Sequence, residues 1–254
     1  MLISIVTSTY NSVSTLPRLI DSFRKAMVPD VEWIVVDNVS TDGTVKLLEE
    51  ASDVISRFIS ESDRGIYDAW NKGIRLARGG FVGFIGSDDY IAETYFSEAL
   101  HALDKNHNII GFHIAVRKDS HTVMTLHTRQ YKQPYNYPFD LGFFHVGTLH
   151  DINFFRHASF DISYRICGDR EFLVRNASIL TPKIHLTKEP LIFFSLGGRS
   201  SSARNRNLIA KEDLRTFNYL MKTSRFSLRN TGHYFSSVAS IVYTLIRNQI
   251  TNSL

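Results

Sequence analysis

Short apolar runs and amphipathic stretches alternate along the first hundred residues of this 254-residue chain. A short apolar run is typical of a buried strand, while apolar residues spaced three and four apart indicate a helix. Strands that alternate with helices in this way predict right-handed βαβ units and a parallel sheet. The predicted strands are 2–8, 31–37, 54–59 and 81–85, and the predicted helices are 15–27, 42–51, 65–77 and 93–104.

Polar and acidic residues follow three of these predicted strands. The tripeptide Ser-Thr-Tyr at 8–10 ends the first strand, Asp37 ends the second, and the pair Asp88-Asp89 follows the fourth. Ligands of parallel sheets bind beyond the carboxyl ends of the strands, so these residues predict a nucleotide site at one edge. The segment TSTYN is neither a G-x-G-x-x-G motif nor a Walker A loop. It favours a nucleoside held by hydrogen bonds and stacking.

The pair Asp88-Asp89 follows the apolar run FVGFI. Adjacent carboxylates repel each other unless a cation lies between them, and hard divalent ions prefer carboxylate oxygen. The predicted ligand is therefore a divalent ion that carries phosphate. The alternative is an acidic pair that is simply solvated in a turn.

The pattern changes in residues 109–200. Two predicted strands, 109–116 and 122–128, flank the polar turn RKDSH, and the aromatic segment YKQPYNYPFDLGFFH follows them. Helical patterns then cover 152–157 and 169–176, a strand is predicted at 183–195, and the loop GGRSSSARN precedes a helical tail. A half that is rich in strands and loops is suited to shaping a pocket for a second substrate.

Composition limits the class of protein. With 43% hydrophobic residues, the chain can bury a substantial core. Its single cysteine, Cys167, excludes an intramolecular disulfide and is typical of a reducing compartment. The N-terminal strand lacks the features of a signal peptide, and no apolar run of about 18 residues predicts a membrane span. We therefore expect a cytoplasmic protein.

The C-terminal end of the chain is basic. Residues 199–254 carry a net charge of +7, whereas residues 1–198 carry −3. Between 233 and 250, apolar residues recur at helical spacing and form one stripe, with arginines nearby. Such a helix could lie on an anionic membrane and hold the protein at the inner face of the cytoplasmic membrane. It could equally pack on the catalytic domain or on a second protomer, and both alternatives are open.

Five segments carry the most specific signals: TSTYN, IVVDNVSTDGT, ESDRGIYDAWNKGI, the turn Ser87-Asp88-Asp89 and FDISYRICGDREFLVRNA. Together they resemble family 2 glycosyltransferases of the bacterial surface-polysaccharide type. The resemblance implies a GT-A fold: a Rossmann-like α/β fold with a mostly parallel sheet flanked by helices, here with a helical C-terminal extension. It implies a catalytic domain at 1–200, with a nucleotide-sugar-binding half at 1–105, an acceptor-binding half at 106–200, and a basic extension at 201–254.

The resemblance also implies roles in the donor site. Asp37 becomes a ligand of the base or ribose, and Asp89 becomes the ligand of Mn²⁺ or Mg²⁺. Asp88 contacts the ribose or metal-bound water, and Asp63 contacts the nucleotide. The other predicted donor contacts are Ser8, Thr9, Tyr10 and, in the GGRSSSARN loop, Arg199. For Ser8 and Thr9 the alternative is ordinary capping of the strand end. For the GGRSSSARN loop the alternative is a flexible linker.

On the acceptor side, the resemblance makes Asp169 the general base that deprotonates a hydroxyl. An ordinary aspartate is ionised at neutral pH and can accept a proton. From the residues alone, Asp169 could equally be the N-cap of the helix that follows it. Glu171 is the reserve candidate for the base. His145 either contacts a phosphate or fills a structural position.

These assignments predict an inverting glycosyltransferase of the hexosyl or N-acetylhexosaminyl type. It would move a sugar from a nucleotide-diphosphate sugar, with UDP favoured, to a hydroxyl of a glycan or lipid-linked acceptor, and no nucleic-acid partner is expected. The processive-synthase signature Q-x-x-R-W is absent, which favours addition of single sugars. A catalytically silent sugar-nucleotide-binding subunit is the alternative. A sugar-nucleotide pyrophosphorylase would need a glycine-rich first loop, which TSTYNS lacks.

Overall fold

The computed structural model describes residues 3–104, 106–118, 121–126, 144–198 and 202–222. Most of the aromatic segment, Arg199 and the predicted tail helix at 233–250 lie outside the described residues.

Strands and helices alternate through the first half of the chain, as its apolar pattern predicts. The strands are β1 (Ile3–Thr9), β2 (Val31–Asp37), β3 (Arg57–Ser60), β4 (Phe81–Phe84), β5 (Tyr90–Ile91), β6 (Ile109–Gly111), β7 (Ile114–Lys118), β8 (His121–Leu126), β9 (Leu149–Asp151), β10 (Pro182–Ile184) and β11 (Ile192–Ser195). The α-helices are α1 (Leu16–Ala26), α2 (Thr44–Glu50), α3 (Ile66–Leu76), α4 (Tyr95–Ala102), α5 (Gly168–Asn176) and α6 (Arg206–Lys222). Short 3-10 turns cover Ile152–Arg156, Ala177–Ile179 and Ala203–Asn205.

The described residues contain a mainly parallel sheet of seven strands, in the order β10-β6-β9-β4-β1-β2-β3. β1 pairs in parallel with β2 and β4, and β2 pairs in parallel with β3. β9 runs antiparallel between β4 and β6. The register places Thr9 opposite Asp37 and Asp37 opposite Ser60, so the carboxyl ends of three strands meet at one edge. The predicted α/β fold with a mostly parallel sheet is confirmed.

Helices cover both faces of this sheet, which explains why β2 is buried along its whole length. On one face, Phe23 of α1 stacks on Trp33 of β2, with ring centres 3.9 Å apart. On the other face, Trp70 of α3 packs against Phe84 of β4, with ring centres 4.6 Å apart. These aromatic contacts fix α1 and α3 against the strands whose ends carry the polar residues.

A second sheet of four strands, in the order β5-β11-β7-β8, lies beside the acid pair. β5 begins immediately after Asp89 and runs antiparallel to β11, and Tyr90 stacks on Phe193 with ring centres 4.6 Å apart. β11 is parallel to β7, which is antiparallel to β8. Because β11 ends at Ser195, close to Asp89, the small sheet borders one side of the acid pair.

The single strand predicted at 183–195 is wrong. The structure has two strands there, β10 and β11, and they belong to different sheets. Pro190 lies between them and lacks the N–H group that a continuous ladder needs. Leu186 in the same connection is exposed, so its apolar side chain is not part of a buried strand.

The single strand predicted at 109–116 is likewise two strands, β6 and β7, which belong to different sheets. Other differences are smaller. β3 begins at Arg57 and not at 54, because the backbone N–H groups of Val54 and Ile55 bond to the Ala51 carbonyl in a turn. The helical pattern at 152–157 forms a 3-10 turn. The sequence pattern also does not predict β9, which is too short to show a periodicity.

The first part of the predicted C-terminal extension forms α6, which packs on α5. The hydroxyl of Thr216 lies 3.1 Å from that of Tyr164, and Arg215 pairs with Asp161 at 3.1 Å. None of the described helices has both the length and the apolar character needed to cross a bilayer.

Candidate active site

The carboxyl ends of β1, β2 and β4 form one continuous rim at the edge of the main sheet. Ser12, just after β1, has its hydroxyl 3.0 Å from that of Ser87 in the acid turn. The Asn11 N–H donates to the Ser40 hydroxyl at 2.8 Å, and the Asn11 side-chain oxygen accepts from the Thr41 N–H at 3.0 Å. The loops after three neighbouring strands are therefore held together by hydrogen bonds.

Asp37 lies at the centre of this rim and is fully buried. One oxygen of its carboxylate accepts from the hydroxyls of Thr9 at 2.8 Å and Ser40 at 2.5 Å. The other oxygen accepts from the Ser60 hydroxyl at 2.7 Å and the Ser40 N–H at 2.9 Å. A bound nucleoside can reach this carboxylate only if one of the hydroxyls turns away. In this structure Asp37 and Thr9 join the ends of β1, β2 and β3.

The exposed side chains on the rim include Tyr10 and Val39. Tyr10 is 59% exposed and Val39 is 53% exposed, while Ser8 is partly buried. Asn11 and Val39 both have positive φ, 48° and 51°. Asparagine tolerates this conformation, but a β-branched residue there is a genuine outlier. The exposed ring of Tyr10 is available for the stacking that the sequence predicts.

The strain at Val39 leads to a stability prediction. We expect Val39→Gly to raise the free energy of unfolding by about 1 kcal/mol, because relief of the left-handed strain exceeds the entropic cost of glycine. Val13→Gly is the matched control, since Val13 is exposed and does not have positive φ. It should lower stability by about 0.5–1 kcal/mol. Urea unfolding measures both, and equal destabilisation by the two changes would contradict the prediction.

The acid turn is compact because Gly86 has no side chain. A methyl group there would lie 2.8 Å from one oxygen of Asp89 and 3.0 Å from one oxygen of Asp88. The other oxygen of Asp89 accepts from the backbone N–H of Ser195 at 2.9 Å. Arg18 of α1 donates to the Asp88 carbonyl at 2.6 Å and to the Ser195 hydroxyl at 2.8 Å. The turn is thus held from α1 and from β11.

The electrostatics of the turn fit a divalent cation. Asp89 is only 2% exposed, and burial raises its pKa well above the ordinary value, with a further rise from the charge of Asp88. Burial also raises the pKa of Asp88, although the nearby Arg18 lowers it in part. A buried and a partly buried carboxylate that repel each other are stabilised by a hard cation. No group of three or more potential metal ligands occurs among the described residues, so an ion would complete its coordination with phosphate and water.

Asp63 precedes α3 and belongs to the same rim. Its N–H donates to the side-chain oxygen of Asn38 at 2.8 Å, and its carboxylate accepts from the Gly65 N–H at 2.7 Å. Burial raises the pKa of Asp63. The carboxylate therefore shapes the turn into α3, and the residue lies next to the loop that follows β2.

The start of the GGRSSSARN loop lies against the acid turn. A methyl group added at Gly198 would collide with a carboxylate oxygen of Asp88, so a side chain there would force that carboxylate to move. Arg199 follows directly in the chain but lies outside the described residues. Gly198 thus places the described start of this loop beside Asp88.

Asp169 is the second residue of α5, and Cys167 occupies the N-cap position, so Asp169 is not the N-cap. The hydroxyl of Tyr67 on α3 lies 3.2 Å from its carboxylate and donates to the Ile166 carbonyl at 2.5 Å. Burial raises the pKa of Asp169, while the charge of Arg170 lowers it in part. A carboxylate with a raised pKa that remains partly accessible is a better proton acceptor than an ordinary one.

The reserve candidate Glu171 has a different environment. It is buried and forms an ion pair with Arg175 of the same helix at 2.6 Å. Both oxygens of its carboxylate accept from the Arg175 guanidinium, so they are already engaged within the helix. Asp169 is therefore the better candidate for the base.

His145 is buried in an aromatic cluster beneath the site. Its ring lies 5.1 Å from that of Trp70, 5.3 Å from that of Phe84 and 5.1 Å from that of His150. Burial lowers the pKa of His145 to about 3 and that of His150 well below its usual range. Within the described residues, the Nε2 atom of His145 has no hydrogen-bond partner. These contacts favour the structural alternative for His145.

The buried histidines make stability depend on pH. An unfolded histidine takes up a proton below about pH 6.5, whereas buried His145 does not until about pH 3. The stability that a neutral histidine contributes is therefore lost as the pH falls between these values. We expect His145→Phe to flatten the decline of unfolding free energy with pH by about 1.4 kcal/mol per pH unit. The exposed His157→Gln is the control, and an unchanged slope in His145→Phe would contradict the expectation.

A mainly parallel sheet flanked by helices, with a carboxylate pair after a central strand, is the arrangement expected of a GT-A transferase. The sequence model of Glycosyl transferase family 2 matches residues 4–165. The chain belongs to this family and is a glycosyltransferase.

The "PGL/p-HBAD biosynthesis glycosyltransferase" of Mycobacterium bovis is 25% identical over 228 residues, 84% of each chain. The "Chondroitin synthase" of Escherichia coli is 36% identical over 92 residues, which cover 35% of this chain and 13% of that protein.

Solved structures share the fold. Residues 1–349 of S. aureus TarS in complex with UDP-GlcNAc superpose with a TM-score of 0.66 at 18% identity, covering 96% of this chain and 82% of that one. The mannosyltransferase PcManGT from Pyrobaculum calidifontis, in complex with GDP-Man and Mn²⁺, superposes with a TM-score of 0.64 at 15% identity, covering 96% and 69%. At these identities the likeness establishes the GT-A fold.

Proposed function

We propose that this glycosyltransferase is an inverting enzyme that uses a nucleotide-diphosphate sugar and a divalent metal. The observation that carries the proposal is the pair Asp88-Asp89, of which Asp89 is buried and Asp88 partly buried, facing Gly86 and Gly198 at the carboxyl edge of a parallel sheet. A carboxylate pair in that place is suited to a cation that carries a diphosphate. Asp89 would hold Mn²⁺ or Mg²⁺, and Asp88 would contact the ribose or a metal-bound water.

The nucleoside would lie on the rim formed by the loops after β1 and β2. The exposed ring of Tyr10 would stack on the base, and Ser8 and Thr9 would contact the nucleoside. Asp37 would accept from the base or ribose in exchange for one of its present hydroxyl partners, and Asp63 would contact the nucleotide. Arg199, which follows Gly198, would add positive charge near the diphosphate.

Transfer would proceed by a single displacement. Asp169 would accept the proton of an acceptor hydroxyl while that oxygen forms a bond to the anomeric carbon. The bond from the same carbon to the diphosphate oxygen would break on the opposite face, which inverts the configuration. When bound, the divalent ion would neutralise charge on the leaving nucleoside diphosphate. Tyr67 would hold Asp169 in place through its hydroxyl.

The donor and acceptor classes follow from chemistry and relatives. TarS has been crystallised with UDP-GlcNAc and PcManGT with GDP-Man, and we favour UDP. Relatives named for PGL/p-HBAD biosynthesis and for chondroitin synthesis support a glycan or lipid-linked acceptor, with surface polysaccharide synthesis as the setting. The alternative, a catalytically silent donor-binding subunit, would bind the same donor without transferring it.

Calorimetry with UDP-, GDP- and dTDP-sugars, each with Mn²⁺ and with a chelator, tests the proposal. We expect UDP-sugars to bind most tightly and the chelator to weaken binding by at least about tenfold, because the ion joins the carboxylates to the diphosphate. Failure of all donors to bind, or binding that the chelator does not change, would contradict it. Transfer across a panel of acceptors then separates an enzyme from a silent subunit.

A peripheral position at the inner face of the cytoplasmic membrane is a further part of the proposal. Lys211 and Lys222 give α6 an exposed basic surface, and the amphipathic stretch 233–250 follows it. Co-sedimentation with anionic liposomes should therefore occur at low salt and decrease when residues 225–254 are deleted. Absence of binding, or binding that survives the deletion, would favour packing of this segment on the catalytic domain or on a second protomer.

A further inference from the structure

Two acids of α6, Glu212 and Asp213, are buried although they lie outside the donor site. Glu212 is 6% exposed, and its carboxylate accepts three backbone N–H groups, from Arg165 at 2.6 Å, Ile166 at 3.0 Å and Cys167 at 2.8 Å. A buried carboxylate is costly unless it is well paired. Here the backbone N–H groups of a single loop stabilise the charge.

This loop, residues 165–167, leads directly into α5, and Asp169 is the second residue of that helix. Asp213, next to Glu212, forms an ion pair with Arg170 at 2.5 Å. The residues on both sides of the helix start are therefore bonded to α6. Any shift of α6 would move the backbone that carries Asp169.

The opposite side of the loop is held by α3. A methyl group at Gly168 would lie 2.7 Å from the ring of Tyr67, so the start of α5 lies in direct contact with this ring. The Tyr67 hydroxyl donates to the Ile166 carbonyl at 2.5 Å. Ile166 is thus bonded to α3 through its carbonyl and to α6 through its N–H group. The loop has little freedom to move.

We propose that Glu212 is a positioning residue for the transfer reaction: it fixes the backbone of residues 165–167 so that Asp169 keeps its place beside the acceptor. The inference rests on the proposed role of Asp169 as the base. It also gives α6 a part in catalysis, because Glu212, which fixes residues 165–167, belongs to the C-terminal extension. Glu212 itself does not touch the reacting atoms.

Glu212→Gln and Glu212→Ala test this proposal in the full-length protein. A displacement of about 1 Å at a reacting group can lower a rate by about 100-fold. We expect Glu212→Ala to lower kcat by about 100-fold, and Glu212→Gln, which keeps one acceptor oxygen, by about tenfold. The Kd of the UDP-sugar with Mn²⁺ should stay within about twofold, because the acid turn that is proposed to bind the donor lies between β4 and β5. The amides of 165–167 should exchange hydrogen faster in both variants.

Asn218→Ala is the matched control, since it removes one polar group from the exposed face of the same helix and should leave kcat and exchange unchanged. If Glu212→Ala does not fold, Glu212→Gln alone decides. An unchanged kcat in a folded Glu212 variant, or a fall in kcat matched by an equal loss of donor affinity, overturns the positioning role. Absence of transfer by the unmodified protein contradicts the proposed function instead, and the inference falls with it.

Discussion

Substitution of Asp169 by Asn is expected to lower kcat by about 10³–10⁴-fold, at the upper end of what a general base contributes. Asparagine has the same size and keeps an oxygen for the Tyr67 hydroxyl, 3.2 Å away, so the fold should be retained. It cannot accept the acceptor proton at the moment of attack. Binding of the donor should be unchanged, because Asp169 lies on α5 and not on the rim formed by the ends of β1, β2 and β4.

The pH dependence adds a second test of the same residue. Burial raises the pKa of Asp169, and only its ionised form can act as a base. The rate of the unmodified enzyme should therefore fall as the pH falls through this raised pKa, and the residual rate of the Asn variant should lack that step. The exposed Asp53→Asn serves as the control. Near-normal turnover of Asp169→Asn on the true acceptor would show that another group is the base.

Loss of the Asp89 carboxylate is expected to abolish transfer together with metal-dependent donor binding. We expect Asp89→Ala and Asp89→Asn to lower kcat by at least about 10³-fold, because a bound metal supplies several kcal/mol of transition-state stabilisation. The Asn variant is the more informative one, since it keeps an acceptor for the Ser195 N–H at 2.9 Å. Unlike Asp169→Asn, both variants should lose the increase in UDP-sugar affinity that Mn²⁺ produces.

The same substitution should not destabilise the protein when metal is absent. Asp89 is buried beside Asp88, and its raised pKa shows that the folded protein disfavours its charge. Removing that charge relieves repulsion, so Asp89→Asn should have a melting temperature equal to or above that of the unmodified protein in chelator. Mn²⁺ should raise the melting temperature of the unmodified protein and of the control but not that of Asp89→Asn. Glu93→Gln, an exposed acid nearby, is the control, and a Mn²⁺ shift that persists in Asp89→Asn would contradict the assignment.

The nucleotide-binding half was predictable because its signals are local. The apolar runs that form β1, β2 and β4 are each short and bounded, and a parallel sheet brings their carboxyl ends together whatever the details of packing. Asp37 and the pair Asp88-Asp89 could therefore be placed at one edge from the chain alone.

Contacts between distant segments could not be predicted in the same way. Arg18 is an exposed residue of α1, and nothing in its local sequence indicates that it reaches the Asp88 carbonyl, 70 residues further on. Ser195, 106 residues from Asp89, and Glu212, 47 residues from Arg165, are equally remote. These partners depend on how the two sheets and α6 pack, which a periodicity does not encode.

Some residues near the candidate site have a structural role that their residue type does not indicate. An acid at the end of β2 suggests a ligand, but the hydroxyls of Thr9, Ser40 and Ser60 surround Asp37 in the folded chain. Thr9 and Ser60 end β1 and β3 and Ser40 lies in the loop after β2, so the three donors surround the carboxylate only once the sheet has formed. The positive φ of Val39 is likewise a product of the loop after β2 and not a preference of valine.

The anomeric configuration of the product shows whether transfer occurs by direct displacement. Purified protein would be incubated with Mn²⁺, the best-binding nucleotide sugar and its acceptor, and the new glycosidic bond would be followed by proton NMR from the first minutes. Direct displacement predicts a single product whose anomeric configuration is opposite to that of the donor sugar, formed about 10³–10⁴ times more slowly by Asp169→Asn. A product that retains the donor configuration would contradict direct displacement with Asp169 as the base.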